Sequence, residues 1–175
     1  MKHSINHVNI RQLAAIAMLI TLTFILERFV PIVNLPTFRI TISFIPVMIC
    51  GMLYGPFSAA IVYGVSDLIG WPIMGLVPIP LVLVSRIVNG FLFGLFLHKE
   101  NVKFWPHAVT CAFATQIICG AGLTTFGLAH FFGNPFFPLL ISRIPIFITY
   151  IVLQMAVFPL MLKLRDSLRK SALWG

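Results

Sequence analysis

Charge is what this chain has least of. Asp, Glu, Lys and Arg make up 9% of its 175 residues, and only 4 of them are acids. A soluble domain spends about a quarter of its residues on charges to cover its surface. A soluble enzyme is therefore excluded, and the solvent that suits this surface is lipid. Cysteine is scarce too. Cys50, Cys111 and Cys119 lie inside apolar runs, with neither the close pairing of a zinc site nor a loop position that favours a disulfide. Also missing is a phosphate-binding Gly-x-x-x-x-Gly-Lys-[Ser/Thr], so the chain does not hydrolyse ATP itself, and there is no His-Glu-x-x-His or Gly-x-Ser-x-Gly. His3, His7, His98 and His107 fall at the polar edge of the apolar runs and form no cluster at membrane depth. No metal, no cofactor and no catalytic residue are expected. No small-residue cleavage site follows the first apolar run, which is long enough to span rather than to serve as a signal core.

What is present is hydrophobic length. The composition is 59% hydrophobic, with a mean hydropathy of +1.03. Crossing about 30 Å of hydrocarbon takes roughly 20 apolar residues, fewer where neighbours shield the helix. Six runs fit: Leu13–Val30, stopped by Pro31 and Pro36; the short Ile40–Tyr54, ended by Gly55-Pro56; Phe57–Ile69, followed by Gly70 and Pro72; Pro80–Leu97; about Pro106–Leu128; and about Phe136–Leu164. No hydrophilic stretch is long enough for a further domain, so residues 1–175 read as one all-α, six-helix transmembrane domain. Lys2 and Arg11 precede the first run. Lys99 and Lys103 lie between the fourth and fifth, and Lys163, Arg165, Arg169 and Lys170 follow the sixth. Six spans put all three basic segments on one side, which the positive-inside rule makes cytoplasmic, with both termini. The +8 net charge thus reflects a membrane face, and no nucleic-acid partner is expected.

Four arginines break that rule. Arg28, Arg39, Arg86 and Arg143 fall at or within the outer ends of the first, second, fourth and sixth runs, where Glu27 and Asp67 also lie. Charge inside a bilayer costs at least about 2.5 kcal/mol on insertion scales and marks a cavity, a partner or a substrate. Glu27 and Arg28 lie near enough to the interface to snorkel to water. Arg86 and Arg143 lie deeper, and Asp67 is expected to pair with one of them at most. The excess of positive charge favours an anionic ligand, one with two carboxylates included. Asn89, three residues after Arg86, shares its helical face and offers a flat ring both donors and an acceptor. Asp67 and Trp71, four apart, suit an aromatic heterocycle: the acid accepts N–H bonds and the indole stacks. Phe126 and His130, with Phe131, Phe132, Phe136 and Phe137, supply aromatics for a lid. Gly51/Gly55 and Ala17/Thr21 are small-x-x-x-small pairs that allow close helix approach.

This pattern resembles the substrate-binding S components of energy-coupling factor (ECF) vitamin transporters, the folate branch most of all. The resemblance spans nearly the whole chain. It is carried by Leu35-Pro36-Thr37-Phe38-Arg39-Ile40-Thr41-Ile42-Ser43-Phe44-Ile45-Pro46, by Gly51-Met52-Leu53-Tyr54-Gly55-Pro56, and by Gly64-Val65-Ser66-Asp67-Leu68-Ile69-Gly70, which is similar to that branch's Gly-x-x-x-Asp-x-x-Gly. Asn89–Leu97 and Phe132-Gly133-Asn134-Pro135-Phe136 continue it. It implies six helices in a bacterial plasma membrane and an outward-facing vitamin pocket closed by loops. It also implies partners: a transmembrane coupling (T) subunit and two ATPases. The family's coupling motif Ala-x-x-x-Ala falls on Ala17 and Thr21, so Ala14, Ala17 and Thr21 are the implied coupling surface. The segment Phe-Pro-Gly-Phe-Thr, frequent before the family's fourth helix, is replaced by Pro78-Ile79-Pro80-Leu81-Val82.

With folate as ligand, Asp67 is expected to read the pterin beside Trp71 and Asn89, with Phe126 and His130 near it. Arg39, Arg86 and Arg143 are expected to serve the glutamate tail or to position Asp67. Another heterocyclic vitamin or a queuosine-like precursor is the alternative ligand. A channel would need a polar stripe reaching the cytoplasmic side, and the inner halves of the runs are apolar.

Overall fold

The computed structural model describes residues 10–34, 39–75, 77–98 and 104–170, with side chains left undescribed at 31–34, 39, 104–107 and 165–170. Lys2, His3, His7, Lys99, Lys103 and the Leu35–Phe38 part of the first motif lie outside the described residues. So do the side chains of Arg39, His107, Arg165, Arg169 and Lys170. Helix α1 spans Ile10–Arg28. A two-stranded antiparallel hairpin follows, β1 at Pro31–Asn34 and β2 at Arg39–Thr41, with Asn34 opposite Arg39. Then come α2 (Phe44–Tyr54), α3 (Pro56–Ile73) and α4 (Pro80–His98). Next, α5 (Phe104–Ala114) runs without a break through a π-helical stretch, Thr115–Thr124, into α6 (Thr125–Phe132). Helix α7 (Phe136–Lys170) closes the chain. Counting α5 to α6 as one rod, the described residues form six helices. Four of the apolar helices, at Ile10–Arg28, Pro80–His98, Ala108–Phe132 and Phe136–Leu164, are long enough to cross a bilayer by themselves.

The helix boundaries follow local chemistry. Gly55 ends α2 at φ 89°, a conformation that a side chain resists, and Pro56 opens α3 at the position where a missing N–H is harmless. Gly133 ends α6 in the left-handed region at φ 66°. The expected second helix begins late: Ile40 and Thr41 are in β2, not in helix, and Arg39 is a strand residue. Here β-branched residues between turn-forming segments pair as a ribbon.

The two ends of the bundle differ. Away from the hairpin, Val47, Met48, Cys50, Val62, Phe93 and Leu97 pack into an apolar core that Cys111, Phe158 and Met161 complete. Small residues bring the central helices together there. A Cβ on Gly90 would fall 2.5 Å from the Ala59 carbonyl oxygen, and one on Gly51 would fall 2.8 Å from Cα of Gly94. Towards the hairpin, the buried residues include Glu27, Asp67, Ser85, Thr115, Gln116, Thr125 and Gln154. Helix α1 lies at the edge and buries only Thr23 and Glu27. Thr23 satisfies its hydroxyl within the helix, on the Leu19 carbonyl at 2.7 Å.

Candidate functional site

The buried charges pair across helices. Arg28, in the last turn of α1, donates to Asp67 of α3 at 3.1 Å, the two side chains being 9% and 3% exposed. Gly70 makes room for this: a Cβ there would lie 2.6 Å from Arg28 Nε. Glu27 accepts from Arg86 of α4 at 2.7 Å. Arg86 also donates to the Tyr63 hydroxyl at 2.6 Å and lies 5.1 Å above the centre of the Tyr63 ring. Two acids thus cancel two guanidiniums. The expectation that Asp67 pairs with Arg86 or Arg143 is corrected: α1 supplies Asp67's partner, and Glu27, read from sequence as interfacial, is the acid that holds Arg86. Among the described residues no carboxylate pairs with Arg143. Its nearest hydrogen-bond partner is Thr125 Oγ1, at a long 3.5 Å.

Beside these pairs lies a cavity of about 120 Å³. Helix α4 lines it with Ser85, Arg86 and Asn89. The π-helical stretch contributes Gln116, Cys119, Gly120 and Thr124, and α7 contributes Arg143, Ile146, Phe147, Tyr150 and Gln154. Phe44 and Tyr63 complete the wall. Ser85 fixes the π-helical stretch to α4, donating to the Cys119 carbonyl at 2.9 Å and accepting from the Thr124 hydroxyl at 2.7 Å. A Cβ on Gly120 would lie 2.9 Å from the Phe147 ring, so glycine lets α7 come close. Along α7 the wall changes character from the guanidinium of Arg143 to the amide of Gln154, whose Oε1 accepts from Thr115 at 3.0 Å. The Asn89 Oδ1 atom is buried with no hydrogen-bond partner. A buried acceptor left unmatched costs about 1–3 kcal/mol, which makes it a ready mark for a ligand donor.

Of the residues singled out in the sequence, Arg86, Asn89 and Arg143 come together on this cavity. Asp67 and Trp71 do not line it. The face of α3 that carries Asp67 meets α1, and Asp67 Oδ2 and Trp71 Nε1 are buried without partners. Phe126 and His130 do not line it either. They are exposed and stack on each other at 6.4 Å, one turn apart on α6. Arg39 is placed only by its backbone. Ala14, Ala17 and Thr21 lie on the exposed side of α1, where the Thr21 hydroxyl donates to the Ala17 carbonyl at 3.0 Å. Sequence reading passed over Gln116 and Gln154, although an amide inside an apolar helix is itself a signal. For Tyr63 and Tyr150 there was no such signal. No group of three His, Cys, Asp or Glu side chains able to hold a metal occurs among the described residues.

The chain matches the family described as "ECF transporter, substrate-specific component" over residues 11–162. It belongs to that family. ECF S components are transporter subunits rather than enzymes, and multi-pass proteins of the cell membrane. The folate transporter FolT of Clostridium novyi (strain NT) is 35% identical to this S component over 91 residues, which is 50% of this chain and 51% of that protein. The match thus spans about half the length of the curated relative. A crystal structure of FolT bound with folic acid has the same fold, with a TM-score of 0.74 at 21% identity over 85% of this chain and 90% of that one.

Proposed function

We propose that this S component is a high-affinity folate-binding subunit of an ECF-type importer. It takes folate from outside the cell and delivers it through a coupling T subunit and two ATPases. The observation that carries this reading is the cavity itself, whose wall joins Arg143, a guanidinium with no carboxylate partner among the described residues, to a set of neutral amides, Asn89, Gln116 and Gln154. Folate has the matching chemistry, an anionic tail and a flat, uncharged ring rich in donors and acceptors. A carboxylate suits Arg143. An N–H of the pterin suits Asn89 Oδ1, and the two glutamines extend the amide set towards the apolar core. We assign ring recognition to these amides, because Asp67 does not line the cavity and its Oδ1 is engaged by Arg28. The two folate transporters of the comparison agree with this ligand. The cavity is smaller than the roughly 300–1,000 Å³ of sites that enclose small molecules, so a whole folate needs its mouth to widen. Under the positive-inside rule, the basic segments of the sequence, Lys99 and Lys103 among them, support an orientation with the cavity facing outside.

The test is folate binding to purified protein, with Arg143→Ala beside the wild type. A charge-assisted hydrogen bond is worth about 1.5–3 kcal/mol, so folate affinity falls roughly ten- to a hundredfold, while a tail-less pterin loses little. Tight retention of a neutral base such as a queuosine precursor, with no folate bound, would transfer the site to that other ligand class.

A further inference from the structure

We propose that Glu27, which is no part of the cavity wall, sets the charge that the cavity accepts. It does so by neutralising Arg86, which leaves Arg143 as the cavity's one uncompensated cation among the described residues. This rests on the ligand cavity proposed above.

The argument starts from the two guanidiniums on the wall. Arg86 and Arg143 flank the same space and repel each other, yet their surroundings differ. Arg86 is held on two sides, by the Glu27 carboxylate at 2.7 Å and the Tyr63 hydroxyl at 2.6 Å, with the Tyr63 ring beneath it. Among the described residues Arg143 has no carboxylate partner, only the long contact to Thr125 and the nearby Tyr150. The charges acting on Glu27 are those of Arg86, Arg28 and Asp67, and Arg28 is itself matched by Asp67. The quartet sums to zero, so among the described side chains an anion entering the cavity meets a net charge of one, that of Arg143. Glu27 is 7% exposed, and in so dry a setting water screens its field little. A second carboxylate brought towards Arg86 meets a guanidinium already bonded and the repulsion of Glu27 behind it. The site is thereby fitted to a ligand that inserts a single carboxylate, and the other acid of a dicarboxylic tail stays in water. Glu27 acts through Arg86 as a positioning and specificity-determining residue.

The experiment compares folate with its γ-monoamide, which keeps one carboxylate, by tryptophan fluorescence titration of the full chain in detergent. The quantity read is the ratio of the two affinities. Glu27→Gln keeps the shape and removes the charge, so the ratio rises in favour of folate by about tenfold, the effect of one added charge-assisted bond. Glu27→Asp keeps the wild-type ratio. Glu27→Gln with Arg86→Gln returns to it, because the freed cation is gone. An equal loss for both ligands in Glu27→Gln overturns the inference and reduces Glu27 to a structural support. A second arm does not need that variant to fold. In Arg143→Gln, with Glu27 intact, folate and its monoamide still bind alike, as in the wild type, and a preference for folate in that variant shows that Arg86 takes anions despite Glu27. If wild-type protein binds neither compound, the folate reading itself fails and takes this inference with it. If the wild type binds both and only the ratio refuses to move, folate stands and Glu27 does not.

Discussion

Asp67 and Arg28 together show how a buried charge is kept in a membrane helix bundle. Each is almost fully buried, and the pair is made at 3.1 Å across α1 and α3. Removing one partner of such a pair leaves the other charged and dry, at about 3–5 kcal/mol, whereas replacing both by apolar groups is often neutral or better. Asp67→Ala therefore lowers the thermal stability of the detergent-solubilised protein, and Arg28→Met with Asp67→Leu recovers most of it. Because Asp67 lies off the cavity, the double variant still binds folate; its loss together with retained folding would put Asp67 back in the site. That Arg86, Asn89 and Arg143 need a polar setting was legible in the sequence, since a charge or an amide in an apolar run has to be matched by something, and the three do line one cavity. Which acid meets which arginine was not legible. Glu27 and Arg28 are adjacent, project in different directions from the last turn of α1, and so reach different helices. That choice depends on where α1 sits, which no spacing along the chain encodes.

At the scale of the element, the apolar runs fixed all six helices to within a few residues at most ends, because length and hydropathy alone decide what crosses hydrocarbon. The hairpin has no marker in hydropathy, since Ile40 and Ile42 lead into the apolar Phe44–Tyr54 with only the small polar Thr41 and Ser43 between them. The fifth run was cut short, at Leu128 rather than Phe132, although nothing before Gly133 stops it. Its π-helical geometry has no marker in residue type. It shows only in backbone bonds such as the one the Thr125 N–H donates to the Gly120 carbonyl, five residues back. Glycines separate the elements that must touch from those that need not. A methyl group on Gly90 meets the Ala59 backbone at 2.5 Å, and backbone cannot swing away as a side chain can. Gly90→Ala is expected to cost about 1–3 kcal/mol, as overpacking does. Gly122 is exposed, and its Cβ would find only the Ile117 carbonyl at 3.4 Å. Gly122→Ala is therefore neutral, or stabilising by up to about 1 kcal/mol from reduced backbone freedom. Thermal melts of the two variants side by side check the contrast, and equal effects would deny the tight α3–α4 contact.

The whole molecule is divided between a polar half that can hold a ligand and an apolar half that closes the path behind it, with α1 touching both halves while burying only two of its own residues. That helix carries Glu27 and Arg28 into the charged cluster at one end and leaves Ala14, Ala17 and Thr21 on its exposed side along the rest. In a bilayer, exposure alone distinguishes nothing, because lipid covers apolar helix faces readily. Small residues repeating along an exposed face do distinguish one, since they let a second helix approach backbone to backbone. A T subunit docking here would gather its contact energy on the side of α1 away from the cavity. Thr21→Leu places a larger side chain on that face and removes the hydroxyl that bonds the Ala17 carbonyl, without touching any cavity wall. Folate affinity of the isolated subunit is accordingly unchanged within about twofold, a difference of under roughly 0.5 kcal/mol. Uptake into vesicles that also contain the T subunit and ATPases falls severely. Leu22→Ile, an exposed neighbour of similar volume, serves as the control and keeps uptake. Full transport by Thr21→Leu would move the docking surface off this stripe, and loss of binding would mean that α1 is wedged against the cavity more tightly than its exposed face allows.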